Sequence, residues 1–288
     1  GLVGSEMCIR DRTGIPSGLP AHSHAMVCRS DTDNIPVSYG SIFGYKTSSI
    51  DSEPIPIELP MRTQMMLLSM AFFDASPRMA MKQATDVFND WAHRGKDEGM
   101  ERGHGPAVRE MLSAAYKRVL SNNESFSFAD LGCGNGWVVR LASEHEQCRH
   151  ADGFDGAEHM IEKANAFDSE NGYYLAMFPD AKPSMQYNLI HSMEFIYYLH
   201  KPKKMLQSIH DEWLAEDGWA VIGIDHYAEH EESLSWPEAL DVHMSTFSEK
   251  EWIEMWHEVG FSEVHAWRAN QTHGKPGTLA ILGKKAAQ

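Results

Sequence analysis

From Phe126 onward, short apolar runs alternate with amphipathic stretches. Runs at Phe126–Leu131, His150–Asp155, Tyr173–Met177, Tyr187–Ser192 and Trp219–Asp225 have the length and β-branched or aromatic content of strands buried on both faces. Between them Trp137–Glu144, Ala157–Phe167, Pro202–Leu214 and Ser248–Val259 repeat apolar residues at helical spacing. The last of these opens with a Ser N-cap and Glu251 three residues on, a capping box. Asp217-Gly218 closes the helix before it, and Val264–Arg268 and Thr278–Gly283 read as two closing strands. Repeated βα units predict an α/β fold, a largely parallel sheet of seven strands with helices on both faces.

Upstream, the texture differs. Met61 to Leu120 is helical and rich in Met, with Met79, Met81, Val87, Phe88 and Trp91 at loosely helical spacing. Gly95 and Gly99 interrupt, and HGPAVREMLSAAYKRVL reads as a further helix with Pro106 near its first turn. The stretch GKDEGMERGH, 95–104, does not suit a continuous helix and reads most simply as a linker. Residues 1–60 scatter Ser, Pro, Gly and Asp among few periodic apolar positions; disorder is expected there. Their opening GLVGSEMCIRDR does not begin with Met and resembles an adapter-derived peptide of translated assemblies, so 1–60 is read as a disordered or non-native extension. The expected organisation is that extension, helical N-terminal elements over 61–121, and the α/β domain over 122–288 with an insertion at 226–248.

Charge narrows the partners. A formal net charge of −16 disfavours broad contact with nucleic-acid phosphates and suits a small-molecule or protein substrate, of which a small molecule is expected. Cys8, Cys28, Cys133 and Cys148 show no paired spacing, which suits a reducing, cytoplasmic setting. No apolar run is long enough to span a membrane. The chain is expected to be a monomer or homodimer.

The strongest motif is FADLGCGNGW, 128–137. A strand runs into Gly132, Cys133, Gly134, Asn135 and Gly136, and a helix follows. Glycines let the backbone turn tightly and approach a ligand, and the helix N-terminus attracts an anionic group. A dinucleotide fingerprint would place its third glycine at Trp137. The indole there disfavours a nicotinamide-dependent oxidoreductase. Asp155 then ends the second strand in ADGFD, where a carboxylate can accept two ribose hydroxyls; Asp152 is the less suitable alternative.

With Asp130 leading it, the loop resembles motif I of class I S-adenosylmethionine-dependent methyltransferases. YNLIHSMEFIYYL resembles that family's segment after motif II, with Asn188 replacing the usual Asp. The resemblance implies a Rossmann-like αβα sandwich with an N-terminal helical lid, S-adenosylmethionine as cofactor and a small-molecule N, O or S acceptor. It implies cofactor contacts at Asp130, Gly132, Cys133, Gly134, Asn135, Gly136, Asp155 and Gly156. It also implies contacts from Met177 and Phe178 beside adenine, His191 and Ser192 at the methionine end, and Trp91, Met100 and His104 from the lid. Asp180 is a doubtful partner for the adenine amino group. His226, Tyr227, His191 and Glu194 are candidate catalytic groups, His226 or Tyr227 as general base. His226, His230 and His243 with Glu229, Glu231 and Glu232 suggest a metal site only weakly, and none is expected. A scaffold that kept the fold without catalysis is the competing reading.

Overall fold

The computed structural model describes residues 81–287. The expectations for 1–60 and for 61–80 lie outside them. The described elements are α1 (Ala84–His93), α2 (Met100–Val119), β1 (Phe126–Leu131), α3 (Trp137–Ser143), β2 (Cys148–Asp155) and α4 (Glu158–Phe167). After them come β3 (Gly172–Leu175), β4 (Tyr187–Met193), α5 (Pro202–Ser208), β5 (Leu214–Ile224), α6 (Trp236–Leu240), α7 (Glu249–Val259), β6 (Ser262–Ala269) and β7 (Thr278–Lys284).

One seven-stranded sheet has the order β3-β2-β1-β4-β5-β7-β6. All neighbours pair in parallel except β7, which runs antiparallel to β5 and β6. The α/β expectation holds. Because helices cover both faces, β1 buries nearly its whole length, and Phe128, Ala129 and Leu131 are fully enclosed. The sheet divides the core in two. On one side Val108, Met111, Leu112 and Ala115 of α2 meet Phe128, Leu189 and Val221; on the other Trp213, Trp252 and Trp256 pack with Ile190 and Ile222.

Several boundaries differ from the sequence reading, each for a local reason. α2 starts at Met100, after a 3-10 turn at Lys96–Gly99, so Pro106 is its seventh residue and has no N–H for the ladder. The stretch expected to be a linker is largely that turn and that first helical turn. The helix from Pro202 leaves α geometry at Ile209 and ends in a wide turn at Trp213. Leu214 then already belongs to β5, pairing with Tyr187, while the next register pair is Leu189 with Trp219. Residues 215–218 bulge out between these pairs, with Asp217 left-handed at φ 60°. Ser248 caps α7 as expected: its hydroxyl accepts from the Glu251 amide, and its own amide donates to the Glu251 carboxylate at 2.8 Å.

Ahead of α1, Lys82 pairs with Val242 in a parallel bridge; its amide donates to the Asp241 carbonyl at 2.9 Å, and its ammonium lies 3.7 Å from the Asp241 carboxylate. This stitch joins the segment before α1 to the segment after α6. No helix among the described residues is long and apolar enough to cross a membrane.

Candidate active site

β1 and β4 are neighbours, and from them the chain winds outward in opposite directions. Such a reversal leaves a crevice at the carboxyl ends of the strands, because the two connections diverge. The glycine loop sits there. Gly132, Gly134 and Gly136 all have positive φ, at 77°, 52° and 79°. The amides of Gly132 and Cys133 both donate to the Phe154 carbonyl, tying the loop to β2. A Cβ on Gly132 would lie 2.5 Å from that of Phe195, so only glycine admits this ring above the loop.

A cavity of about 670 Å³ opens over the loop. Gly132, Gly134, Asp155 and Gly156 line its β1–β2 side; Ala176, Met177 and Phe178 follow β3; Met193, Glu194 and Phe195 follow β4. Phe88 of α1 and Met100 of α2 reach it from the N-terminal elements, and Met100 lies against Gly134. Phe88 stacks edge-on against Tyr198, another lining residue.

Asp155 bridges two elements. Its Oδ2 accepts from the Gly134 amide at 2.9 Å and its Oδ1 from the Ala157 amide at 2.8 Å. Burial raises its carboxyl to about 6 against the pull of these amide hydrogen bonds. Glu194 ends the β4 connection with a left-handed backbone, φ 57°. Its carboxyl accepts from the Tyr197 hydroxyl and from the Asp225 amide, both at 2.6 Å. Burial, and then the charge of Asp225, push it well above the ordinary carboxylate range. Glu194 can therefore carry or release a proton at the cavity wall.

The remaining sequence candidates are placed behind the wall. Asp130 is buried and turned to His191, whose Nδ1 lies 2.7 Å from its carboxylate. The His191 ring lies alongside Phe128, and its Nε2 is buried without a hydrogen-bond partner among the described residues. The Ser192 hydroxyl donates to the Leu131 carbonyl. The Cys133 thiol is enclosed, and burial raises it well above its ordinary value. Gly136 makes room for Tyr173, whose ring would meet a Cβ at 2.4 Å. Trp91 packs edge-on against Phe88 and does not line the cavity.

His226 and Tyr227 are not brought to the cavity either. Nδ1 of His226 lies 3.0 Å from the Ser233 carbonyl and Nε2 lies 2.7 Å from the Thr246 hydroxyl. A carbonyl can only accept, so Nδ1 carries the proton and Nε2 accepts from Thr246. No lone pair is left for a base. Tyr227 donates to the Gly277 carbonyl at 2.9 Å beneath the Arg268 guanidinium, and burial raises its hydroxyl to about 12. His230 turns its Nδ1 to the Asp225 carbonyl, and His104 lies 3.7 Å from the Asp225 carboxylate. The histidines of the insertion are thus dispersed, and among the described residues no three His, Cys, Asp or Glu side chains gather. Asp180 lines the cavity but pairs with Lys204 at 2.6 Å.

Asn135 revealed a group that the sequence reading missed. Its amide donates to Asp97 at 2.8 Å, and Lys163 of α4 donates to the same carboxylate at 2.7 Å. Asp97 is fully buried in the 3-10 turn before α2. This carboxylate holds the N-terminal elements, the glycine loop and α4 together.

A methyltransferase-domain family profile matches residues 105–266, more than half of the chain. The chain belongs to this methyltransferase family. Solved structures agree in fold. The Haloferax volcanii protein that forms a complex with the Trm112 methyltransferase activator is 22% identical over 69% of this chain and 97% of that one, with a TM-score of 0.60. An S-adenosylmethionine-dependent methyltransferase from Mesorhizobium loti is 19% identical over 63% and 97%, with a TM-score of 0.51. The plantazolicin methyltransferase BpumL, solved with a substrate analogue and S-adenosylhomocysteine, is 11% identical over 71% and 96%, with a TM-score of 0.53. At these identities the likeness is one of fold. No curated protein sequence matches the chain.

Proposed function

We propose that this methyltransferase uses S-adenosylmethionine and methylates a small-molecule N, O or S acceptor. The observation that carries the reading is Asp155. Its carboxylate is anchored to the Gly134 amide, stands at the end of β2 and lines the cavity beside a loop of three positive-φ glycines. These residues fit the cofactor. Asp155 would accept hydrogen bonds from ribose hydroxyls, Gly132 and Gly134 would let the backbone approach the methionine portion, and Met177 and Phe178 would flank adenine. Met100, on the lid side, covers Gly134.

When bound, S-adenosylmethionine supplies a methyl group on a positively charged sulfur already activated for transfer. The chain's own work is alignment, exclusion of water and management of one proton. Phe88, Phe195, Tyr198 and Met193 provide apolar walls for the acceptor. Glu194 lines the cavity between Met193 and Phe195, and in its ionised form it would be the group placed to accept a proton from an acceptor amine, thiol or hydroxyl. Enclosure between lid and sheet favours a small molecule, and the charge of −16 disfavours nucleic acid.

Calorimetry with S-adenosylmethionine, S-adenosylhomocysteine and NAD tests the cofactor, and methyl transfer to a panel of amines, thiols and phenols tests the reaction. The first two should bind and NAD should not. No heat from either methionine compound would sink the reading. Tight binding without turnover on any acceptor would favour a scaffold.

A further inference from the structure

The walls beside Asp155 and the glycine loop are apolar or acidic, yet the same cavity also has basic groups in its lining. Lys82, Lys201, Lys204, His200 and His243 all line it, in a chain whose formal charge is −16. These groups come from three separate stretches: the segment before α1, the turn between β4 and α5 together with the start of α5, and the part of the insertion that follows α6. Two of the lysines are engaged. Lys204 is paired with Asp180 at 2.6 Å, and Lys82 lies 3.7 Å from Asp241. Lys201 makes no ion pair among the described residues. With Lys204 and Lys182, it holds the exposed Asp180 carboxyl below its usual value, the Lys204 hydrogen bond counting most.

The two histidines add a built surface. The rings of His200 and His243 stack with centroids 3.9 Å apart. His243 Nε2 lies 3.1 Å from the Ser245 hydroxyl, which donates its only proton to the Leu199 carbonyl at 2.8 Å. His243 must therefore donate through Nε2, which leaves Nδ1 with a lone pair and fixes the ring. Lys201, which has no ion-pair partner among the described residues, repels a cationic ligand and attracts an anionic one, and the stacked rings of His200 and His243 belong to the same lining. Phe88, Tyr198 and Leu199 give the same cavity an apolar surface.

We propose that the methyl acceptor is an amphipathic anion, whose carboxylate or phosphate group is held by Lys201 against the stacked rings of His200 and His243 while its apolar body lies along Phe88, Tyr198 and Leu199. The proposal rests on the reading of this cavity as the methyl-transfer site. It names the substrate class that the reading leaves open.

The test is ligand-observed NMR titration of the S-adenosylhomocysteine-loaded protein with phenylacetate, phenyl phosphate and the neutral 2-phenylethanol. Both anions, or one of them, should bind at least tenfold tighter than the alcohol and weaken as salt rises, the two arms distinguishing carboxylate from phosphate. Lys201→Glu, and separately His243→Gln with Lys201→Gln, should abolish that preference while S-adenosylhomocysteine binds as in the parent. Equal binding of anions and alcohol, or an anion preference that survives both variants, would overturn the proposal. Failure of S-adenosylhomocysteine to bind, with the anion preference intact, would instead overturn the methyl-transfer reading and leave an anion site standing.

Discussion

Lys163→Met is the most informative single change. It removes the ammonium that lies 2.7 Å from Asp97 and leaves a fully buried carboxylate with the Asn135 amide as its remaining hydrogen-bond donor. Breaking one side of a buried ion pair costs about 3–5 kcal/mol, because the surviving charge has lost both water and partner. Lys163 keeps 19% of its side chain exposed and Asn135 stays in place, so about 2–4 kcal/mol is expected here. For a folded unit of this size that corresponds to a fall of roughly 5–15 °C in melting temperature. The assay is thermal unfolding by circular dichroism of Lys163→Met, Asp97→Asn and the double variant. The double variant should recover part of the loss, since it buries no unpaired charge. A Lys163→Met protein melting within about 2 °C of the parent would refute the view that Asp97 is held as a buried anion.

Further outcomes concern Asp155 and His226. Asp155→Ala should weaken S-adenosylhomocysteine binding by about 1–3 kcal/mol in calorimetry at pH 7.5. With the Asp155 carboxyl near 6, parent affinity should fall as pH drops below that value, and the variant should lack this dependence. The raised value also means that the ionised carboxylate costs folding stability. Its contribution favours the fold below the unfolded value near 3.8 and is lost as pH rises through about 6, so the apo melting temperature of the parent should carry a fall across that interval that Asp155→Asn lacks. His226→Ala strands the Ser233 carbonyl and the Thr246 hydroxyl, an expected cost of about 1–3 kcal/mol in urea unfolding with cofactor affinity unchanged. An unaltered unfolding midpoint would show that those bonds carry no weight.

The strands, the glycine loop and Asp155 were legible because each depends on residues close together in the chain. A buried parallel strand is a continuous apolar run, and a glycine loop followed by a helix announces its own geometry. Asp97 was not legible. In KDEG it has the look of a solvated turn, and only the tertiary approach of Asn135 and Lys163 makes it a buried anion. The histidines failed for the opposite reason. His226 and His230 have the spacing of two ligands on a helix, but the chain from His226 onward forms no α-helix until Trp236, and each ring finds a backbone carbonyl instead. His243 acquires its neighbour His200 from the far side of β5, a pairing that no local pattern encodes.

The stitch between Lys82 and the Asp241–Val242 segment bears on which parts of the cavity lining are firmly held. It consists of one backbone hydrogen bond and one exposed ion pair, together worth about 1–2 kcal/mol. That is only two or three times the thermal energy, far below the cost of disturbing the sheet. The two segments, remote in the chain, are basted rather than sewn, while the sheet under the cavity is held by full ladders of hydrogen bonds.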